Sequence, residues 1–369
     1  MISGEWSILE KDNLAVVCAV NKRIYSSVSE SKDNNIYLSL LDFNIRNIPA
    51  EIIEGKLVYL KELTDKQKEI LKFTNSAVET VYAYLKKINP FKLETSGKET
   101  RININSESKK IGFGSSAASV VSIISSILKF NNFDIEKKES KELIYKLSAI
   151  AHYFAQGKSG SCFDIAASVF GGFLVYRTFY QDWFLSQFEQ KRSIKDIVDS
   201  KWNGFYVKNA AIPKNLKLSI GFTGSSASTS EMIKKMKEFK SERESQYFEI
   251  INKIKILTEQ LIFSLKTENE NKILELIKEN EKLLSLLGKK SNIKIETEKL
   301  KLLCEIADKN KGAGKLSGAG GGDCGIALCF SDEIKNKIES EWRKSGIYVI
   351  SAEIDKEGIK EDASFKKRK

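Results

Sequence analysis

Histidine is nearly absent: the 369-residue chain has one, His152, which excludes a multi-histidine metal site before any motif is sought. Cysteine is sparse and scattered. Cys18, Cys162, Cys304, Cys324 and Cys329 form no CxxC pair. An odd, dispersed set suits the reduced thiols of a cytosolic protein better than a disulfide framework or a zinc site. No stretch approaches the roughly 18 uncharged apolar residues of a membrane span. The opening residues lack a basic n-region, an apolar h-region and a cleavage site, so no secretory signal is expected. Lysine, by contrast, is plentiful. Lys plus Arg number 60 against 49 Asp plus Glu, giving +11, a charge open to nucleic acid, an anionic membrane surface or an anionic small substrate. Glycine is unevenly placed. Seven of the 22 fall between Gly312 and Gly325, marking a place where backbone must come close to something.

The length gives a prior of two domains of roughly 150–200 residues. A hydrophobic content of 41% supplies real cores. Residues 14–27 and 35–45 read as strands, being β-branched or alternating. Residues 66–87 repeat apolar residues at helical spacing and stop before Pro90. A short strand is expected at 101–106, helices at 115–130 and 141–156, and a strand at 172–179. Around 201–213 the chain changes character at Pro213, which places the domains at 1–205 and 206–369. A strand at 216–222 and a helix from about 229 follow. The charged amphipathic stretch 244–287 breaks into two helices near 267–271. A helix at 298–309, the glycine cluster, a strand at 325–330, a helix and a last strand near 347–354 complete the order, with 365–369 a frayed basic tail. Strands and helices are mixed rather than alternating, which predicts an α+β fold over a doubly wound sheet.

Four segments carry chemistry. Residues 110–118 (KIGFGSSAA) lead straight into the apolar helix. Glycines turn backbone N–H groups one way, and the helix start adds free N–H groups and a positive dipole end. Small Ser and Ala residues leave room for a phosphate, and a serine hydroxyl can reach a phosphate oxygen or Mg²⁺. This is no Walker A loop, because no lysine follows the second glycine. An ordinary Gly/Ser cap before a core helix is the plainer alternative. Residues 312–325 (GAGKLSGAGGGDCG) lie between a helix and a buried-looking strand, where a flexible linker is out of place. They read as a loop approaching a ligand or the opposite glycine-rich loop. In 157–167 (GKSGSCFDIAA) a turn of small residues delivers one carboxylate, Asp164, either a helix cap or an acid facing a phosphoryl-transfer site. Residues 221–230 (GFTGSSASTS) end a strand and open a helix with more hydroxyls than a capping turn uses, which suits anion contact.

Together these segments resemble the GHMP kinases (galactokinase, homoserine kinase, mevalonate kinase, phosphomevalonate kinase). Residues 112–118 look like that superfamily's phosphate-binding GLGSSAA loop with Phe113 in place of Leu, and 318–322 (GAGGG) like its C-terminal glycine motif. Residues 3–10 (SGEWSILE), 164–172 (DIAASVFGG), 222–230 and 315–325 point more narrowly to the phosphomevalonate kinases, in order over nearly the whole chain. The resemblance implies a ribosomal-protein-S5-like N-terminal domain and a ferredoxin-like C-terminal domain with the site between them. It implies transfer of the ATP γ-phosphoryl group to (R)-5-phosphomevalonate in cytoplasmic isoprenoid biosynthesis. Mg²⁺ would be the metal, and neither nucleic acid nor membrane a partner.

Carried over by position, Asp164 is the active-site aspartate, with Lys110 and Lys158 as catalytic cations. Gly112, Phe113, Gly114, Ser115, Ser116, Ala117 and Ala118 would hold the nucleotide phosphates, with Ser116 near Mg²⁺. Ser159, Ser161, Ser225, Ser228 and Thr229 would contact substrate. Ser317, Gly318, Gly320, Gly321 and Asp323 would do so too, closing over the phosphates. The family's first motif begins Pro-Gly-Lys just ahead of the segment matching Gly4 and Glu5, and this chain has none. Either about ten residues precede Met1, or another cation does that lysine's work, with Lys158 and Lys315 the nearest by motif.

A phosphate monoester acceptor has its second pKa near ~6 and is mostly ionised at neutral pH. Asp164 then has little proton to remove and is expected to orient a lysine and the metal. Alternatives are a mevalonate kinase or other GHMP small-molecule kinase, and a catalytically impaired homologue. A nucleic-acid-binding protein of S5-like fold is another, and it needs basic residues interleaved with aromatics. Lys and Glu instead alternate along 272–282, as on a solvated face, so most of the +11 is read as surface composition.

Overall fold

The β-branched run after Leu14 forms β1 (Ala15–Cys18), and the computed structural model describes it with the rest of residues 1–104, 107–157, 160–224 and 229–362. The single strand expected over 14–27 is corrected to two. β1 joins one sheet and β2 (Tyr25–Glu30) another, so the chain turns between them. β3 (Ile36–Leu40), β4 (Ile45–Ile53), β5 (Lys56–Tyr59) and β6 (Phe91–Ser96) complete a sheet of order β2-β6-β3-β4-β5, antiparallel except where β3 runs beside β6. Helix α1 (Asp65–Leu85) starts at a capping box in which Thr64 and Gln67 satisfy each other's backbone N–H groups.

The strand expected at 101–106 is one arm of a hairpin, β7 (Arg101–Ile104) and β8 (Glu107–Lys110). It delivers the chain to α2 (Ser115–Phe130), whose range matches the expected helix end to end. Val120, Ile123, Ile124, Ile127 and Leu128 of α2 are fully buried in one core with α1, α3 (Lys138–Ala155) and α4 (Phe163–Phe170). β9 (Phe173–Arg177) then pairs with β1. After α5 (Gln181–Glu189) and α6 (Ile194–Asp199), β10 (Tyr206–Asn209) pairs with the other edge of β9. The expected division at 205/206 thus falls at the start of β10.

A separate four-stranded sheet has β11 (Lys217–Phe222), β12 (Ala313–Leu316), β13 (Cys324–Cys329) and β14 (Tyr348–Ile350) in the order β12-β13-β11-β14, all antiparallel. That order, with helices between β11 and β12 and between β13 and β14, is the ferredoxin-like arrangement expected. α7 (Thr229–Glu242), α8 (Glu244–Lys266), α9 (Glu270–Ser291) and α10 (Glu298–Lys309) fill the first connection, and α11 (Asp332–Lys344) the second. The break between α8 and α9 lies where it was expected, and Asn269 caps α9 by accepting from Lys272 N. No helix among the described residues is long and apolar enough to cross a membrane.

The glycine cluster is not one loop. Its first part is β12, buried throughout, and a β-carbon on Gly314 would lie 2.5 Å from Cys304 Cα of α10. Gly221 and Gly325 are paired across β11 and β13, and β-carbons there would each meet Leu303 at 2.7 Å. These glycines form a floor on which α10 lies. Gly314→Ala is therefore expected to cost about 1–3 kcal/mol of stability by forcing α10 away. Urea unfolding of the variant checks this, and an unchanged midpoint refutes it.

Candidate active site

Between the two domains lies a cleft with a volume of about 1030 Å³. One wall is the turn from β8 into α2. Gly114 occupies the N-cap with a left-handed backbone (φ +71°), and among the described residues no side chain caps the helix. The first-turn N–H groups are therefore left to face whatever enters, at the positive end of the helix dipole. Ala118 N already bonds Gly114 O.

Both glycines of this turn are pressed against a carboxylate. A β-carbon on Gly112 would sit 2.8 Å from Asp323 Cγ, and one on Gly114 would sit 3.0 Å from Asp164 Cβ. The loop after β12 thus meets the loop before α2. Cys324 Sγ donates to Ile111 O at 2.9 Å, which fastens the two together. The Asp323 carbonyl accepts from Thr223 N at 2.9 Å and Thr223 Oγ1 at 3.1 Å, adding the end of β11 to the junction. Burial pushes the Asp323 carboxyl up to about 6.

Asp164 is not the cap of α4. Cys162 holds that position in a left-handed conformation, and Asp164 lies in the first turn, its Oδ1 accepting from Ile165 N at 3.0 Å. The turn before the helix is held from the core, where Tyr176 donates to Ser161 O at 2.5 Å and shares a 2.8 Å hydrogen bond with Tyr145. Two helix starts, α2 and α4, therefore converge on one cleft with Asp164 between them.

Ser116 Oγ lies 3.1 Å from Nε2 of His152, which stacks on Phe73 at 5.2 Å. Burial holds the imidazole below its ordinary pKa, opposed by the charge of Asp164. Lys110, at the end of β8, has no ion-pair partner among the described residues and lies 6.0 Å from the Phe43 ring. Burial, with Arg101 and Lys72 nearby, lowers its pKa.

The structure brings most of the expected site together. Lys110, Gly112, Phe113, Gly114, Ser115, Ser116, Ala118, Ser161 and Asp164 line the cleft, as do Thr229, Ser317, Gly318, Gly320 and Asp323. Ala117 turns into the core, and Gly321 gives its N–H to Ile295 O at 2.7 Å, so neither does. Lys158, Ser159, Ser225 and Ser228 lie outside the described residues. Lys22, Arg23 and His152 also line the cleft without belonging to any motif read above, and only the rarity of histidine drew notice to the last.

Lys315 is corrected. It does not line the cleft but is fully buried in an ion pair with the buried Glu5, and its ammonium also donates to Leu316 O at 2.5 Å. Asn280 Nδ2 donates to Glu5 Oε2 at 3.2 Å, and Leu316 N to Glu281 Oε2 at 2.7 Å. This cluster braces the root of the 317–323 loop, and Lys315 within it is paired with Glu5 rather than turned to the cleft.

Family models match a segment in each half of the chain: GHMP kinases N terminal domain over 75–172 and GHMP kinases C terminal over 265–347. The chain belongs to the GHMP kinases, and it is a kinase. It is similar to the phosphomevalonate kinase of Streptomyces sp. (strain CL190), 25% identical over 97% of this chain and 96% of that one. It is also similar to the mevalonate kinase of Pyrococcus abyssi, 26% identical over 98% and 94%. Among solved structures it resembles Streptococcus pneumoniae phosphomevalonate kinase in complex with phosphomevalonate and AMPPNP, with a TM-score of 0.79, 23% identity and coverage of 95% and 96%.

Two measurements probe the buried cluster of this GHMP kinase. Lys315→Met strands the Glu5 charge and is expected to cost about 3–5 kcal/mol. Adding Glu5→Gln should restore much of that loss, and denaturant unfolding of the double-mutant cycle reads it. Glu281, raised to about 7 chiefly by burial and opposed by Lys315, keeps its proton when folded at pH values where the unfolded chain, at 4.5, has released it. Stability should therefore fall as pH rises from 4.5 to about 7, and Glu281→Gln should flatten that slope in thermal unfolding across the range.

Proposed function

We propose that this kinase transfers the γ-phosphoryl group of ATP to (R)-5-phosphomevalonate, giving (R)-5-diphosphomevalonate and ADP in isoprenoid biosynthesis. The observation that carries the reading is the convergence of two helix starts, α2 behind the N-cap Gly114 and α4 behind the N-cap Cys162, on one carboxylate in an interdomain cleft. Backbone N–H groups and dipole ends suit several phosphates at once, as a nucleotide and a phosphorylated acceptor require. Support for this acceptor comes from the stretches at 3–10, 164–172 and 315–325 and from the similar phosphomevalonate kinases.

In this reading the turn 112–118 cradles the nucleotide phosphates, with Lys110 adding positive charge at its entrance. Ser161, Thr229, Ser317, Gly318, Gly320 and Asp323 border the acceptor, Ser159, Ser225 and Ser228 are assigned there on sequence grounds, and Lys158 is assigned on the same grounds as a catalytic cation. The acceptor phosphate oxygen attacks the γ-phosphorus and ADP leaves. That oxygen is already ionised at neutral pH, since the second pKa of a phosphate monoester is about 6. Asp164 therefore positions charge rather than removing a proton.

The donor set fits Mg²⁺. Mg²⁺ is commonly held by one or two protein oxygens together with substrate phosphates. Ser116 Oγ, steadied by His152, and the carboxylate of Asp164 both face the cleft. When bound, Mg²⁺ neutralises phosphate charge.

A mevalonate kinase reading has a relative of similar identity behind it, and a substrate panel separates the two. In a coupled ADP-release assay, phosphomevalonate should exceed mevalonate and homoserine in kcat/KM by about 100-fold or more, because a site built for a phosphate is left unpaired by an alcohol. A preference for mevalonate would refute the proposal. Asp164→Asn should lower kcat about 10²- to 10³-fold, with KM for ATP little changed.

A further inference from the structure

Beyond β14 the described chain leaves its own domain and crosses onto the other one. Asp355 N donates to Ala19 O at 3.0 Å, Gly172 N to Asp355 O at 2.5 Å, and Ile359 N to Val169 O at 3.2 Å. Arg23 clamps this strap from the cleft side: its guanidinium pairs with the Asp355 carboxylate and donates from Nη1 to Gly358 O at 2.8 Å. Asp355 Oδ1 accepts from Glu357 N at 2.9 Å and Gly358 N at 3.2 Å, which folds the strap into a tight turn.

That turn touches α4 backbone to backbone. Gly358 (φ +67°) would place a β-carbon 2.5 Å from both Gly171 N and Val169 O. Gly171 (φ +70°), the C-cap of α4, would likewise drive a β-carbon into Gly358 N. Two glycines with positive φ, far apart in sequence, meet where no side chain fits. α4 has eight residues, so its C-terminal contact lies only about 12 Å from its start. Asp164 is at that start, and a helix of two turns moves as a rigid body.

We infer that residues 355–359, clamped by Arg23, are a positioning element for phosphoryl transfer: they hold the C-terminal end of α4 and so fix Asp164 at its other end. The inference rests on the role given to Asp164 above. It also joins the C-terminal domain to the aspartate through the chain itself, because the strap continues from β14.

The full-length chain tests it in two arms. The first is independent of turnover. Amide hydrogen exchange within α4 should quicken in Gly358→Ala and in Arg23→Gln, and less in Arg23→Lys, while α2 amides at Ile123 and Ile124 keep wild-type rates. In the second arm, kcat should fall about 10- to 100-fold, the scale of a roughly 1 Å misplacement, with KM for ATP unchanged. In an Asp164→Asn background the same changes should cost nothing further. Unchanged α4 exchange, or a kcat loss that persists in full without the aspartate, overturns the inference. If Gly358→Ala does not fold, the two Arg23 variants decide. If the wild-type chain does not turn over phosphomevalonate, the substrate reading fails, and the exchange arm still shows whether the strap holds α4.

Discussion

At Gly112 and Gly114 the turn before α2 has no room for a β-carbon, because a carboxylate from another part of the chain already stands there. Both positions also have positive φ, so glycine is required by backbone conformation and by space together. The rest of the site follows from this approach. It lets the loop after β12 reach the loop before α2, and it sets Asp164 beside the helix start that would receive a phosphate. Carboxylates next to an anion cradle repel an anionic ligand unless cations stand between them. The cleft therefore has to be read as a balance of charges, with Asp164 and Asp323 on one side and Lys110 and the helix starts on the other.

Beneath the cleft a second charge balance has a different purpose. Glu5, Lys315 and Glu281 are removed from water, and Glu281 Oε1 and Asn280 Oδ1 have no hydrogen-bond partner among the described residues. Such a group is costly to form and costlier to break one member at a time. It ties the opening residues to β12 and so sets where the 317–323 loop begins. A lysine inside a glycine motif can thus serve the frame of a site without touching its ligand.

Local signals in the sequence were dependable where they decided local structure. α2 and α10 run over the expected residues because apolar periodicity and helix starts coincide there. The 14–27 run divides into two strands because strand pairing is non-local: nothing within it says that β1 belongs with β9 and β2 with β6. Glycine density could not separate two physical demands. Gly314 and Gly325 make space for α10, whereas Gly318 and Gly320 line the cleft, and the letters are the same. The strap had no signature, since its grip comes from a pair of glycines and one arginine spread over the chain. Lys315 was misplaced for the same reason: its partner, Glu5, is at the other end of the sequence.

The net charge of +11 takes its meaning from where the lysines stand. Many are engaged on helix surfaces with a carboxylate one turn away, as in Lys195–Asp199, Lys235–Glu231 and Lys253–Glu249. Pairs of that kind contribute little to stability and are screened by salt. They supply no directed field at the cleft. What the cleft offers an incoming phosphate is mainly backbone: the first-turn amides of α2 and the start of α4, fixed in orientation by the folds of Gly114 and Cys162. Preorganised dipoles of this sort need no reorganisation when charge arrives. Affinity for a multiply anionic substrate can therefore rest on a few amides and one or two lysines, while the surface charge of the chain varies freely.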